Sequence, residues 1–237
     1  MTVSPRTRFA VVTGASSGMG EATAKRLLED GFAVAGVDLD PLRIQDERAV
    51  WVHADVRSPE ELADGLARVA QLPGAVDVLV NAAGIYPTSD LSTLTVQAYR
   101  DVMDTNVLGT LLAVQATVPL MADDGAIVNF ASIDAFVAPD HQLVYSASKA
   151  AVVGLTRALA RELAGRRIRV NAVAPGWVAS EANTASGRLE AAVASIPLGR
   201  AADPREMAEL VTWLATGEGA RYITGETVVA SGGLVTR

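Results

Sequence analysis

The sequence predicts an α/β fold: a parallel sheet, doubly wound, held between two helical layers (α/β/α) in a single domain spanning residues 1–237. Three observations lead there. Short apolar runs of strand length alternate with longer amphipathic runs of helix length, the pattern of parallel strands joined by crossover helices. A glycine-rich turn, "TGASSGMG" (13–20), separates the first strand-like run from the first helix-like run. The 237 residues contain no internal repeat, low-complexity tract or linker, and that length suits one domain with a large core.

The elements follow in order. "FAVVTG" (9–14) reads as a buried strand and "MGEATAKRLLEDG" (19–31) as an amphipathic helix closed by Gly31. Strands follow at 33–38 and 49–56. The run 58–72 opens with Ser58, Pro59 and Glu61, which predicts a helix with a capping box. A fourth strand, "VDVLVNAAG" (76–84), leads to one long helix over 95–121 and a strand over 125–132. A helix over about 142–164 and a strand over 168–176 come next. The stretch 177–203 is looser; within it 180–200 is short, alanine-rich and expected to act as a mobile substrate lid. The chain closes with a helix at 203–216 and a strand at 225–230.

Composition narrows the function. The net charge is −7 and the longest basic cluster is "GRRIR" (165–169), which disfavours nucleic acid. There are no cysteines, and the two histidines, His53 and His141, do not stand at metal-ligand spacing, so no metal is expected. No segment approaches the ~20 apolar residues of a membrane span. The N-terminal apolar run passes into glycines and not into a cleavage site, so a cytoplasmic protein is expected.

The glycine turn gives the first chemistry. Glycines let the backbone turn sharply and approach a pyrophosphate, and the following helix presents unpaired N–H groups to the anion. Asp38, eighteen residues after Gly20, ends the second strand. A carboxylate there accepts from both ribose hydroxyls and repels a 2′-phosphate. No lysine or arginine occupies 14–20 or 39–42, Arg43 being the nearest, so NAD is expected over NADP. Asp55 and Val56 follow the third strand and suit the adenine edge; "NAAG" (81–84) offers another close backbone approach. Taken singly, these features have plainer readings: a tight turn for the glycines, a turn cap for Asp38 in "DLDP", a strand-end hydroxyl for Ser132.

In "YSASK", Tyr145 and Lys149 are four residues apart. On a helix they share a face. An ammonium beside a phenol, together with the positive nicotinamide ring of an oxidised cofactor, favours the phenolate and lowers a pKa of about 10 toward neutrality, where proton transfer is useful. Taken together, "TGASSGMG", "NAAG", Asn106 in "DTNVLGT", Ser132 thirteen residues before Tyr145, "YSASK" and "PG" (175–176) resemble the short-chain dehydrogenase/reductase family in order and spacing, from "VVTG" to "SGGL".

The resemblance implies a Rossmann-like fold and a catalytic set of Asn106, Ser132, Tyr145 and Lys149. Ser132 would hold the substrate oxygen. Lys149 would bind the nicotinamide ribose. Asn106 would interrupt its helix and hold a water of a proton relay. It places the cofactor on Gly14, Ser16, Ser17, Gly18, Met19 and Gly20; on Asp38, Leu39, Asp55 and Val56; on Asn81, Ala82, Ala83 and Gly84; and on Tyr145, Lys149, Pro175, Gly176, Val178 and Ser180. Val178 and Ser180 would grip the carboxamide. Four positions depart from the family pattern: Ala82 in "NAAG" where asparagine is frequent, Met19 for isoleucine, Ser180 for threonine and Ser231 for aspartate. None removes a catalytic group.

Tyr86, Asp134, Gln142 and Trp177 stand beside matched motifs and are the expected substrate contacts. A carboxylate at Asp134 suits a polyhydroxy or cationic substrate, in a small pocket of mixed polarity. The expected function is NAD-dependent interconversion of a secondary alcohol and its ketone. The alternatives are a 3-oxoacyl thioester reductase and a non-catalytic dinucleotide sensor. The long helices 95–121 and 142–164 carry more apolar surface than one sheet face covers, which with the resemblance implies a homotetramer or homodimer.

Overall fold

The computed structural model describes residues 7–69, 74–185 and 187–236. Seven strands form one parallel sheet: β1 (Phe9–Thr13), β2 (Ala33–Asp38), β3 (Ala49–His53), β4 (Val76–Asn81), β5 (Met121–Phe130), β6 (Arg169–Pro175) and β7 (Thr227–Ala230). Their order is β3-β2-β1-β4-β5-β6-β7. The chain runs outward from β1 to β3, then returns to lay β4 against the other edge of β1. Thr13 is in register with Asn81, so the segments leaving β1 and β4 start side by side. A crevice at the carboxyl ends of strands opens where the order reverses.

Strand side chains alternate between two cores. Val12, Val34 and Val128 face Leu27 and Leu28 of α1 (Gly18–Glu29) and Met207, Val211 and Leu214 of α9 (Pro204–Thr216). Val11, Leu79 and Ile127 face Leu62 and Leu66 of α2 (Pro59–Val69), Val114 of α4 (Gly109–Thr117) and Leu159 of α6 (Leu143–Glu162). This gives three layers. Both faces are covered, which is why the strands read as continuous apolar runs.

Several expectations change in detail. The helix expected over 95–121 is α3 (Val96–Met103), a π turn at Asp104–Leu108, then α4 and a 3₁₀ turn at Val118–Leu120. Pro119 has no N–H to continue the helix, and β5 begins at Met121, four residues before the expected start. The strands expected over 49–56 and 76–84 leave the ladder at His53 and Asn81, freeing 54–56 and 82–84 to line the crevice. The capping box at Ser58 is half made. Ser58 Oγ accepts the Glu61 N–H at 3.2 Å, but the Glu61 carboxylate turns back to the Asp55 N–H at 2.8 Å. The end of that helix, 70–72, lies outside the described residues. A complete box forms instead at Asp203 and Glu206, opening α9. The looser stretch contains two short helices, α7 (Glu181–Ala185) and α8 (Arg188–Val193). A further short helix, α5 (Asp134–Val137), precedes α6.

Two glycines make opposite demands. A Cβ on Gly20 would lie 2.0 Å from the Gly14 carbonyl oxygen, whereas one on Gly154, mid-α6, would meet nothing within 4 Å. Gly20→Ala is expected to destabilise the fold by about 3 kcal/mol through overpacking against backbone. Gly154→Ala is expected to stabilise it by about 0.5–1 kcal/mol through helix propensity. Urea unfolding of the two variants checks both signs.

Candidate active site

The crevice is a groove of about 660 Å³. Its floor and walls include Gly14, Ser17, Gly18, Met19 and Gly20 from the glycine turn, Asp38 at the end of β2 and Leu39 beyond it. Asp55 and Val56 come from beyond β3, Ala82, Ala83, Gly84 and Tyr86 from beyond β4, and Ser180 from beyond β6. These are most of the residues expected to hold a dinucleotide. Gly14 has φ +69°, and a Cβ there would sit 2.7 Å from the Ala83 nitrogen, so only glycine lets the turn lie against the β4 exit. Thr13 Oγ1 accepts the N–H groups of both Ala82 and Ala83 at 3.2 Å. Nothing in the sequence singled out Thr13 beyond its place before Gly14.

Seven expected cofactor contacts do not line the groove: Ser16, Asn81, Tyr145, Lys149, Pro175, Gly176 and Val178. Ser16 is buried, and its N–H donates to the Asp38 carboxylate at 2.9 Å. Asn81 turns into the sheet and donates to Asn129 Oδ1 at 2.9 Å. Gly176 lies against Ser231, whose Cα would be 3.0 Å from an added Cβ. Ser231 in turn accepts the Val235 N–H at 3.0 Å, so it folds the C-terminal segment back on itself. Val178 is buried beyond Pro175, the last residue of β6, and bridges to Ala202.

The plainer reading of Asp38 also applies: its second oxygen accepts the Asp40 N–H at 3.1 Å, capping the turn. The two uses are compatible, because these contacts fix the carboxylate where it borders the groove. Trp51 Nε1 donates to the Asp38 carbonyl at 3.2 Å and steadies the same residue. The Asp55 carboxylate grips Arg57 at 2.6–3.0 Å, and that guanidinium holds it below the usual carboxylate range.

The four expected catalytic residues gather beyond the ends of β4 and β5. Ser132, just past β5, hydrogen-bonds the Tyr145 side chain, and its Oγ accepts the Asp134 N–H at 3.1 Å. Tyr145 and Lys149 share one face of α6, with Lys149 Nζ 5.7 Å from the phenol ring centre. Lys149 is buried and donates to the Phe130 carbonyl at 2.7 Å. Asn106 sits in the π turn, 1% exposed. Its Oδ1 accepts the Ile85 N–H at 2.8 Å, and its Nδ2 donates to the Ile85 carbonyl at 2.9 Å and to Ser148 Oγ at 3.0 Å. Its main-chain carbonyl accepts the Thr110 hydroxyl at 2.8 Å. The side chain therefore ties the β4 exit to α6.

The electrostatics differ from the expected pairing. Burial pushes the Tyr145 phenol well above its ordinary value; the Ser132 hydrogen bond lowers it, and the charge of Asp134 and the neighbouring Tyr86 raise it further. Lys149 lies over the ring and not at the hydroxyl, and burial has brought Lys149 itself down to about 8. Desolvation thus outweighs the mutual attraction that the i, i+4 spacing suggested.

Of the expected substrate contacts, the Tyr86 ring centre is 6.0 Å from that of Tyr145, and Asp134 opens α5 close enough to act on the phenol by charge. Gln142 stands one turn before Tyr145, 7% exposed, with no hydrogen-bond partner for its Oε1. Trp177 is half-buried and its carbonyl accepts the Ala202 N–H at 2.9 Å. Among the described residues, no helix is long and apolar enough to cross a membrane.

A parallel sheet with a glycine turn at its switch point and a Ser, Tyr and Lys cluster beside it defines an oxidoreductase of the short-chain dehydrogenase/reductase family, and the chain belongs to that family. Residues 14–235 match the family model described as enoyl-(acyl carrier protein) reductase. An uncharacterized oxidoreductase of Methylorubrum extorquens is 41% identical over 96% of this chain and 97% of its own. The 3-oxoacyl-[acyl-carrier-protein] reductase of Staphylococcus aureus is 37% identical over 96% and 98%. The structure of Thermoplasma acidophilum aldohexose dehydrogenase superposes with a TM-score of 0.89 at 28% identity, covering 97% of this chain and 94% of that one.

Lys149 gives a stability signature. Its pKa is about 10.5 unfolded and about 8 folded, so between those values the unfolded chain binds more protons and stability rises with pH. Relative to Lys149→Met, the wild-type protein is expected to gain about 2 kcal/mol between pH 8 and 10, read from urea midpoints across that range.

Proposed function

We propose that the protein is an NAD(H)-dependent oxidoreductase interconverting a secondary alcohol and its ketone, with Tyr145 as general acid and base. The observation that carries this is that Tyr145 and Lys149, with Ser132, stand against Tyr86 and Gly84, which line the same groove as Asp38. The residues fit a nicotinamide dinucleotide. The glycine turn leaves a backbone cradle that a Cβ would fill, and the Asp38 carboxylate offers acceptors to ribose hydroxyls while repelling a 2′-phosphate. Bound there, the dinucleotide accepts or supplies hydride.

The chain's own residues handle the proton. Ser132 holds the substrate oxygen beside the phenol. Tyr145 takes the hydroxyl proton during oxidation and returns it during reduction, a form of help worth ~10²–10⁴ in rate. Lys149, with one N–H given to Phe130, keeps a positive charge near the ring and holds the ribose. Asn106 fixes the β4 exit against α6, which holds Tyr145 and Lys149 in place. Asp134, Tyr86, Gln142 and Trp177 shape a compact pocket of mixed polarity, under a lid formed by 180–200. A cytoplasmic location is part of the same proposal.

A second reading, reduction of 3-oxoacyl thioesters, is favoured by the Staphylococcus aureus relative. A carboxylate at Asp38 speaks against the phosphorylated cofactor that such synthesis would use. The same surface logic supports a homotetramer: Val96 and Tyr99 on α3 and Leu143 on α6 are 70%, 48% and 47% exposed.

NAD⁺ and NADP⁺ reduction across secondary alcohols tests the reading. The panel comprises sugars and polyols, cyclic alcohols, steroids and 3-hydroxyacyl thioesters. Turnover with NAD⁺ on a compact alcohol, reduced at least about a hundredfold in Tyr145→Phe, is the expected result. Preference for long thioesters with NADP⁺ would move the assignment to the second reading. Sedimentation velocity is expected to give a tetramer, and a monomer would refute that assembly.

A further inference from the structure

Two arginines stand near Asp38, Arg57 in the groove lining and Arg43 outside it, and each is held by a carboxylate that lines the groove. Arg57 borders the groove and is gripped by Asp55 two residues away. Arg43, five residues past Asp38, is held from much farther along the chain: its Nη1 donates to both carboxylate oxygens of Glu181, at 3.2 and 3.0 Å, across 138 residues. Glu181 opens α7 and, with Ser180, lines the same groove as Asp38 and Leu39. Ser180 Cβ would lie 3.9 Å from a Cβ on Gly18, so the start of α7 rests on the glycine turn. The ion pair therefore ties the segment after β2 to the start of α7.

We infer that Glu181 is a cofactor-selectivity residue, acting by engaging Arg43 so that the guanidinium is not offered to a 2′-phosphate. This rests on the reading that the groove takes a nicotinamide dinucleotide. The reasoning is one of competition. A guanidinium is a strong phosphate partner, bidentate and always charged. One placed just past the second strand would ordinarily counter the repulsion of Asp38. Glu181 satisfies it in advance, and Glu21 and Asp40 add to the negative surroundings of Arg43. A 2′-phosphate must then displace one carboxylate while facing another. NAD meets neither obstacle. Selectivity arises from two acidic residues: Asp38 acts on the ribose directly, and Glu181 acts through Arg43.

The test is calorimetric titration of NADH and NADPH into the wild type, Glu181→Gln, Arg43→Ala and the double variant, each first checked for an unchanged thermal midpoint. Glu181→Gln is expected to tighten NADPH binding about fivefold, the upper range for releasing a solvent-exposed pair, and to change NADH binding by less than about twofold. Adding Arg43→Ala is expected to remove the gain, and Arg43→Ala alone to leave both affinities near wild type. Equal shifts for the two dinucleotides would overturn the inference. So would a gain that survives in the double variant, since the effect would then be general charge and not Arg43. A wild type that binds NADH while Glu181→Gln leaves NADPH unchanged refutes the selectivity role alone. A wild type that binds neither dinucleotide refutes the underlying reading with it.

Discussion

The side chain of Asn106 is the contact on which the site's geometry depends. It uses three hydrogen bonds to join segments that no local rule brings together: the π turn between α3 and α4, the backbone of Ile85 beyond β4, and Ser148 on α6. A buried amide with both ends occupied is costly to disturb, because each freed group would be left without water. The clamp therefore holds the α6 turn that presents Tyr145 and Lys149 at a fixed distance from the β4 exit. The π turn belongs to the same arrangement. A widened turn offsets the side-chain positions that follow it, and such turns are common at functional sites.

Burial then sets the charge state. The same desolvation that raises Tyr145 lowers Lys149, so both groups are drawn toward their neutral forms. Asp134 adds a negative charge that makes phenolate still harder to form. Under the proposed chemistry, ionising the phenol near neutrality requires a positive group beside it, and an oxidised nicotinamide ring is one. The site so arranged would hold its base in reserve until the cofactor is oxidised and in place.

The architecture was legible because its signals are local and periodic. The glycine turn after "FAVV", the apolar alternation of the strands and the Tyr145–Lys149 spacing all lie within a few residues of one another. What was misread depends on distant partners. The resemblance implies that Asn106 interrupts the helix at 95–121, and it does; that the interruption is a π turn clamped to Ile85, far back in the chain, is not visible in "DTNVLGT". Glu61 sits at a capping-box position but finds a better partner in the Asp55 N–H. The lowering of Tyr145 is expected from Lys149 and an oxidised cofactor ring together, whereas the depth of burial that opposes it cannot be seen in a sequence. Arg43 was noticed only as the nearest cation, since its partner is 138 residues away.

The order of the strands has a consequence for how the chain acquires activity at all. β1 pairs with β4, and the first of its residues, Phe9, donates its N–H to the Asp77 carboxylate across 68 positions. The loop between them must be closed before the two edges meet, and such non-local pairing slows folding. The crevice lies on the seam between β1 to β3 on one side and β4 to β7 on the other, so it exists only once the two sides have met. On a ribosome, or after dilution from denaturant, secondary structure would appear well before the protein can bind its coenzyme. Return of binding would then time the docking of the two halves and not the formation of either.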